Sequence, residues 1–359
     1  MNRRILLALH RWLGLIAGLW LLTLGVTGIF LDHDEWRWLR QVEVPENWLS
    51  PSMKRYLPAT VMRYVASDPT DENRWIGGSE RGLWITHNRG VSWEKLLFPN
   101  NRHPQVLRFA KIRADGKPII VIATDDGLWA MRNFGGPITR LALEGHFINM
   151  ISPGAHPGSI IGVDDFTGVF SLNVDQPEVI QMHDFDRPHI TGLPDTVTLY
   201  QFLFDLHFGY GLLSREWSTW INDFGGFAVA ILSLTGFLAW YLKRKWRRTK
   251  TPPQPTRRRL IMTGLYRGHA PVIGILGIVP ILYLSITGIL FNHILTFIEW
   301  GEAREVRRES LPPVWRYQSL EGEIDHVVAF SGEPERMLIS TRFGVLETLD
   351  GGATWSAEK

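Results

Sequence analysis

The chain has 359 residues, a formal net charge of +2, 45% hydrophobic residues, 16 Trp and no Cys. The near-neutral charge excludes a polycation built to bind nucleic acid. The lack of cysteine excludes disulfides, thiolate zinc sites, cysteine-held iron–sulfur clusters and CxxCH-attached haem, which leaves His, carboxylates and carbonyls for any metal chemistry.

Residues 1–12 carry Arg3, Arg4 and Arg11 and lead into residues 13–31, an apolar run with no charged residue. A bilayer core takes about 20 apolar helical residues, so 13–31 is the first predicted transmembrane helix. The run is long for a secretory leader, and "DHDEWRW" follows it in place of a small-x-small cleavage site. It therefore reads as an anchor.

Residues 34–195 change character. Three lines align there, "WIGGSERGLWITHNRGVSW" (75–93), "VIATDDGLWAMRNFGG" (121–136) and "IGVDDFTGVFSLN" (161–173). A fourth, "LISTRFGVLETLDGGATW" (338–355), belongs to the C-terminal segment 300–359. Each has a β-rich run, a turn, a glycine and an apolar pair. Gly82, Gly127 and Gly168 are separated by 45 and 41 residues, a period that predicts four-stranded blades of a small β-propeller. Thr86-x-Asn88-x-Gly90-x-Ser92-Trp93 and Thr348-x-Asp350-x-Gly352-x-Thr354-Trp355 resemble the Asp-box (BNR) hairpin turn. In that turn Asp or Asn bonds the turn backbone, Gly takes φ > 0 and Trp packs between strands. The motif is structural, and no arginine triad with a tyrosine nucleophile, as a sialidase needs, is assignable.

Residues 198–213, containing "LYQFLFDLHFGYGLL", predict an interfacial helix. Residues 221–242 form the second predicted span, with Asp223 as its one charge. The linker 243–268 opens with "KRKWRRTKTPPQPTRRR", nine basic residues and no acidic one. Residues 270–292 form the third predicted span. Basic flanks stay on the cytoplasmic side. The N-terminus and the 243–268 linker are therefore expected inside, and residues 34–220 and 294–359 in the periplasm of a bacterial inner membrane. Both ends of the inserted pair of spans are then outside, so the last repeat can join the same propeller.

Five of the twelve His flank the spans: His10, His33, His207, His269 and His293. Ionisable residues at membrane depth are functional candidates. His10 and His33 are 23 residues apart around the first span, and His269 and His293 are 24 apart around the third, which runs the same way. His10 and His269 should therefore meet at the inner edge, and His33 and His293 at the outer edge near His207. Neutral imidazole is a good axial ligand for haem iron, so these residues are candidate ligands of two b-type haems. The inner pair is His10 with His269, and the outer pair is two of His33, His207 and His293. Gly14 and Gly18 follow His10 on nearly its own face, and Gly277 follows His269, so these three glycines are candidates to lie against a flat macrocycle. Gly28 and Gly288 point elsewhere and, with Thr27 and Thr287, read as helix packing. Thr235-Gly236 repeats the pair in the second span. The competing reading of these His is as interfacial residues bonded to lipid headgroups. Twenty-three helical residues rise about 34 Å, so two haems would have to lean inward to exchange electrons quickly.

"LHRWLGLIAGLWLLTLGVTGIFL" (9–31), "LHFGYGLL" with "GGFAVAILSLTGFLAWYLKRK" (206–245) and "RGHAPVIGILGIVPILYLSITGILFNH" (267–293) resemble the PepSY-associated transmembrane family. That family includes iron-regulated inner-membrane proteins and ferric-siderophore reductases. His10, His207 and His269 match its motif positions one by one, while His33 and His293 match less general ones. The resemblance covers the membrane segments. Where the family usually carries a PepSY-like domain or a fourth span, this chain has propeller repeats.

The expected fold is three transmembrane helices plus an all-β periplasmic propeller completed by residues 300–359. The expected function is transfer of electrons through two haem b groups from a quinol or cytoplasmic reductase to a periplasmic acceptor such as a ferric siderophore. No GxGxxG-type fingerprint opens a βαβ unit, so NAD(P)H or flavin would be a partner's. A membrane-anchored scaffold whose propeller binds a client protein, and a transporter subunit, are the competing classes.

Overall fold

The computed structural model describes residues 3–33, 36, 42, 45–52, 62–165, 168–185, 189–207, 211–213, 215–249, 253–316, 320, 323–341 and 344–357. They form two compact units. One is helical, built from Met1–Glu43 and Asp195–Arg316. The other is a β unit built from Val44–Pro194 and Tyr317–Lys359. Each is therefore made from two stretches of chain.

The β unit holds four antiparallel meanders of four strands. The first is β1 (Tyr64–Asp68), β2 (Asp71–Ser79), β3 (Gly82–Thr86) and β4 (Glu94–Leu96). The second is β5 (Val106–Ala114), β6 (Lys117–Thr124), β7 (Gly127–Met131) and β8 (Ile138–Ala142). The third is β9 (Ile148–Pro153), β10 (Ser159–Asp164), β11 (Gly168–Asn173) and β12 (Gln176–His183), and β13 (His189–Thr191) follows it. In the helical unit β14 (Thr196–Thr198) pairs with β15 (Glu305–Arg307). The fourth meander is β16 (Ile324–Phe330), β17 (Glu333–Thr341), β18 (Gly344–Thr348) and β19 (Thr354–Ala357). Its outer strand β19 pairs in parallel with β13, Ile190 opposite Trp355. Consecutive meanders touch through their first strands, β5 with β1, β9 with β5 and β16 with β9. This is the blade order of a β-propeller. Buried apolar side chains fill each gap between blades, among them Ile76, Ile122 and Trp129, then Ile119, Ile151 and Phe170, then Val163, Ile339 and Trp355.

Blades one and four close with the same turn. Thr348 Oγ1 donates to Asp350 Oδ1 at 2.8 Å and accepts from the Gly352 amide at 2.9 Å. Asp350 accepts from the Thr354 amide and hydroxyl at 2.9 and 2.6 Å. Thr86, Asn88, Gly90 and Ser92 repeat the pattern in the first blade. Gly90 and Gly352 stand at φ of 89° and 100°, a left-handed backbone that an L side chain resists. A second repeated device ends the second strand of each blade. Ser79, Thr124 and Thr341 are buried and donate to the carbonyls of Gly82, Gly127 and Gly344. The third blade carries buried Asp164 at that place, bonded to His146 Nδ1 at 2.5 Å.

The helical unit contains α1 (Arg3–Asp32), α2 (Leu199–His207), α3 (Arg215–Arg248), α4 (Pro255–Arg267), α5 (Ile275–Asn292) and α6 (Ile294–Glu302). Three stretches are long and apolar enough to cross a membrane, Leu7–Phe30, Trp217–Arg248 and Pro255–Asn292. Their outward faces expose Ile16, Leu19, Trp20, Ile275 and Val279, as lipid-facing surfaces do. The predicted 198–213 helix is helical through His207, and residues 208–210 lie outside the described residues. The second span is longer than the predicted 221–242. The latter part of the predicted 243–268 linker is helical, and residues 250–252 of it lie outside the described residues. Between α4 and α5 the chain winds as a π turn over Gly268–Gly274. Pro271 has no N–H for the α ladder, and the widened turn absorbs that loss.

Candidate functional site

Two facing glycines set how closely α1 and α3 pack. A Cβ on Gly25 would stand 2.7 Å from the Gly226 carbonyl oxygen, and one on Gly226 would stand 2.9 Å from that of Gly25. Only small residues let two helix backbones approach this closely. Gly18 continues the seam against Phe237 and Gly277 meets Ala228, so their flanks are filled by neighbouring helices. The expectation that Gly18 and Gly277 line an open face is thus replaced by packing. Gly14 does have an open flank, with nothing among the described residues within 4 Å of its Cβ position. Gly28, read as a packing residue, likewise meets nothing within 4 Å among the described residues.

This packing brings His10 of α1 beside His269 of the π turn, at the end of the unit where α3 finishes in Arg244, Lys245, Arg247 and Arg248. The ring centres are 6.1 Å apart and the planes are inclined at 67°. His269 Nδ1 lies 2.8 Å from Thr235 Oγ1 on α3. Thr235 Oγ1 also reaches the Ile231 carbonyl at 2.6 Å and that of Leu232 at 3.2 Å. A Cβ on Gly236 would sit 3.6 Å from His269 Cε1.

At the opposite end His207, the last residue of α2, repeats the arrangement on α5. Its Nδ1 is 2.8 Å from Thr287 Oγ1, which reaches the Tyr283 and Leu284 carbonyls at 2.9 and 3.3 Å. A Cβ on Gly288 would sit 3.8 Å from His207 Cε1. Asn222 Nδ2 donates to the His207 carbonyl at 3.2 Å, and the Tyr283 hydroxyl donates to Asn222 Oδ1 at 3.3 Å. Phe291 covers the ring at 4.9 Å. Thus Thr-Gly, read from sequence as packing alone, carries a histidine in two of its three occurrences.

The other two candidates at this end differ. His33 Nε2 pairs with Asp223 Oδ2 at 2.9 Å, and its ring stacks on Trp36 at 4.2 Å. Asp223 is buried, and its other oxygen has no hydrogen-bond partner among the described residues. His293 is exposed at the break between α5 and α6, with φ −115° and ψ 44°. Among the described residues no three His, Cys, Asp or Glu converge to cage an ion. The basic end offers two imidazoles, which is the axial donor set of haem iron. Two imidazoles on one metal at ~2 Å from each nitrogen have ring centres roughly 6 Å apart, so the spacing of His10 and His269 fits that role.

The profile of the PepSY-associated TM region family matches residues 7–322. No curated protein matches the chain. Among solved structures, an ancestral GH74 enzyme is similar at 14% identity and a TM-score of 0.32, over 83% of this chain and 24% of that one. The GH74 xyloglucanase from Xanthomonas campestris is similar at 8% identity and a TM-score of 0.36, over 82% and 30%. The chain spans less than a third of the length of either, and at these scores neither likeness bears on its fold or activity.

Proposed function

This membrane protein belongs to the PepSY-associated TM region family, and from the geometry of its span-edge histidines we propose that it is a b-type haem protein of a bacterial inner membrane. The observation that carries the reading is the 6.1 Å spacing of His10 and His269. Bound haem supplies a one-electron carrier; the protein supplies position and electrostatics. His10 and His269 hold the group at the basic end, which positive flanks assign to the cytoplasm. The open flank of Gly14 leaves room beside His10. His207 is the oriented ligand at the periplasmic end, and its counterpart is drawn from His33 and His293. With haem held at both ends by these histidines, the chain would carry electrons from a cytoplasmic reductase or quinol to a periplasmic acceptor, for which a ferric siderophore is the candidate.

The test is a dithionite-reduced minus oxidised spectrum of protein purified in detergent after expression with ample haem. Two b-type centres are expected. His10→Ala and His269→Ala should each lose the same one, and His207→Ala the other. Whichever of His33→Ala and His293→Ala also removes that second centre names the remaining ligand. A colourless wild-type preparation overturns the reading and leaves the propeller-borne scaffold as its rival.

A further inference from the structure

We infer that the Thr-Gly pairs of α3 and α5 are histidine-orienting devices: Thr235 and Thr287 hold His269 and His207 in the Nδ1–H tautomer, with the lone pair on Nε2. Naming iron as what Nε2 binds rests on the haem reading above. The tautomer does not, since it follows from counting protons.

A threonine hydroxyl has one proton and two lone pairs. A backbone carbonyl can only accept. Thr235 Oγ1 lies 2.6 Å from the Ile231 carbonyl, and Thr287 Oγ1 lies 2.9 Å from the Tyr283 carbonyl, each four residues back. Each hydroxyl proton is thereby committed to its own helix, the back-bonding that threonine makes in helices. The same oxygens stand 2.8 Å from His269 Nδ1 and His207 Nδ1. With the hydroxyl proton used, these short contacts require the proton on nitrogen, so Nδ1 donates. A neutral imidazole has a single N–H, which leaves Nε2 as the basic atom. The glycine after each threonine keeps that flank of the ring clear. The third pair is a built-in control. Thr27 Oγ1 donates to the Thr23 carbonyl at 2.8 Å, but among the described residues nothing lies within 4 Å of the Gly28 Cβ position.

A metal-bound imidazole that donates its second N–H to an acceptor is a stronger electron donor and is fixed in orientation. Thr235 and Thr287 are therefore positioning residues, each acting on one centre. Thr235→Val and Thr287→Val keep the side-chain shape and remove the acceptor. The expected result is a higher midpoint potential for one centre only, with a changed low-spin EPR signal. Thr235→Val should move the centre that His269→Ala deletes, and Thr287→Val the centre that His207→Ala deletes. Thr→Ser at either position should restore the wild-type value, and Thr27→Val should change neither. Haem-loaded Val variants with unchanged potentials and EPR overturn the proposal while leaving the haem reading intact. Wild-type protein that binds no haem sinks that reading, and the tautomer is then read on the same haem-free protein by 15N NMR of labelled histidine. Two Nδ1–H signals should disappear one by one in the Val variants. Val variants that lose haem are judged by the same spectrum, where an unchanged tautomer pattern overturns the proposal.

Discussion

The two units use their polar side chains differently. In the β unit the hydroxyls of Ser79, Thr124, Thr341 and Thr348 and the carboxylate of Asp350 are consumed within their own turns. They complete the backbone's hydrogen bonding. In the helical unit Thr235 and Thr287 lie on one helix and reach a histidine from another element, while Asn222 holds the His207 carbonyl. A polar group spent locally finishes a fold. One aimed across helices, at membrane depth where polarity is costly, marks a site.

That contrast can be broken first in the β unit. Trp355 is 1% exposed at the contact between the third and fourth blades, so Trp355→Ala should cost about 3–5 kcal/mol. Urea unfolding followed by circular dichroism would measure it, and the haem difference spectrum expected from the proposed function should persist. A smaller effect is expected on the other side of the comparison. Gly25→Val drives a side chain into the Gly226 carbonyl, and overpacking of this kind costs about 1–3 kcal/mol. Its signature is loss of the centre proposed for His10 and His269, with the β unit's unfolding midpoint unchanged. Equal loss of both properties in either variant would show that the units do not carry separate duties.

The smallest effect is a pH dependence. Hydrogen bonds from the Thr354 hydroxyl and amide and from the Thr348 hydroxyl bring the Asp350 carboxyl from 3.8 down to about 2 in the folded state. Because the folded value lies below the unfolded one, this stabilisation is complete above pH about 3.8 and fades as pH falls toward 2. Asn88 makes the same main-chain bond in the first blade without titrating, so Asp350→Asn should keep the turn. The unfolding midpoint of Asp350→Asn between pH 2 and 5 should be flatter than that of the wild type.

Much of this architecture is legible in the chain because its signals are local. An uncharged run of membrane length declares a span, and Thr-x-Asp-x-Gly declares a turn whose partners lie within six residues. The neighbourhood of His10 and His269 is also legible, since helix rise and direction determine it. The π turn is not, because i→i+4 and i→i+5 bonding leave no distinct pattern around "GHAPVIG". Nor is the role of Thr-Gly. The repeat is visible, but its partner is a histidine 34 residues away for Thr235 and 80 away for Thr287. His33 illustrates the same limit: Asp223 stands out as the one charge in its span, and only packing shows that it is spent on His33. Gly18 and Gly277 fall on the expected faces, yet which face meets a neighbouring helix depends on the crossing geometry.

The ladder between β13 and β19 has a consequence for biosynthesis. It joins residues made before α3 to residues made after α5, so Ile190 waits for Trp355 until both of those helices have left the ribosome. Both strands must also end up on the same side of the bilayer, which requires an even number of crossings between them. A chain that failed to insert one of those helices would strand its fourth blade on the wrong side and leave Ile190 unpaired.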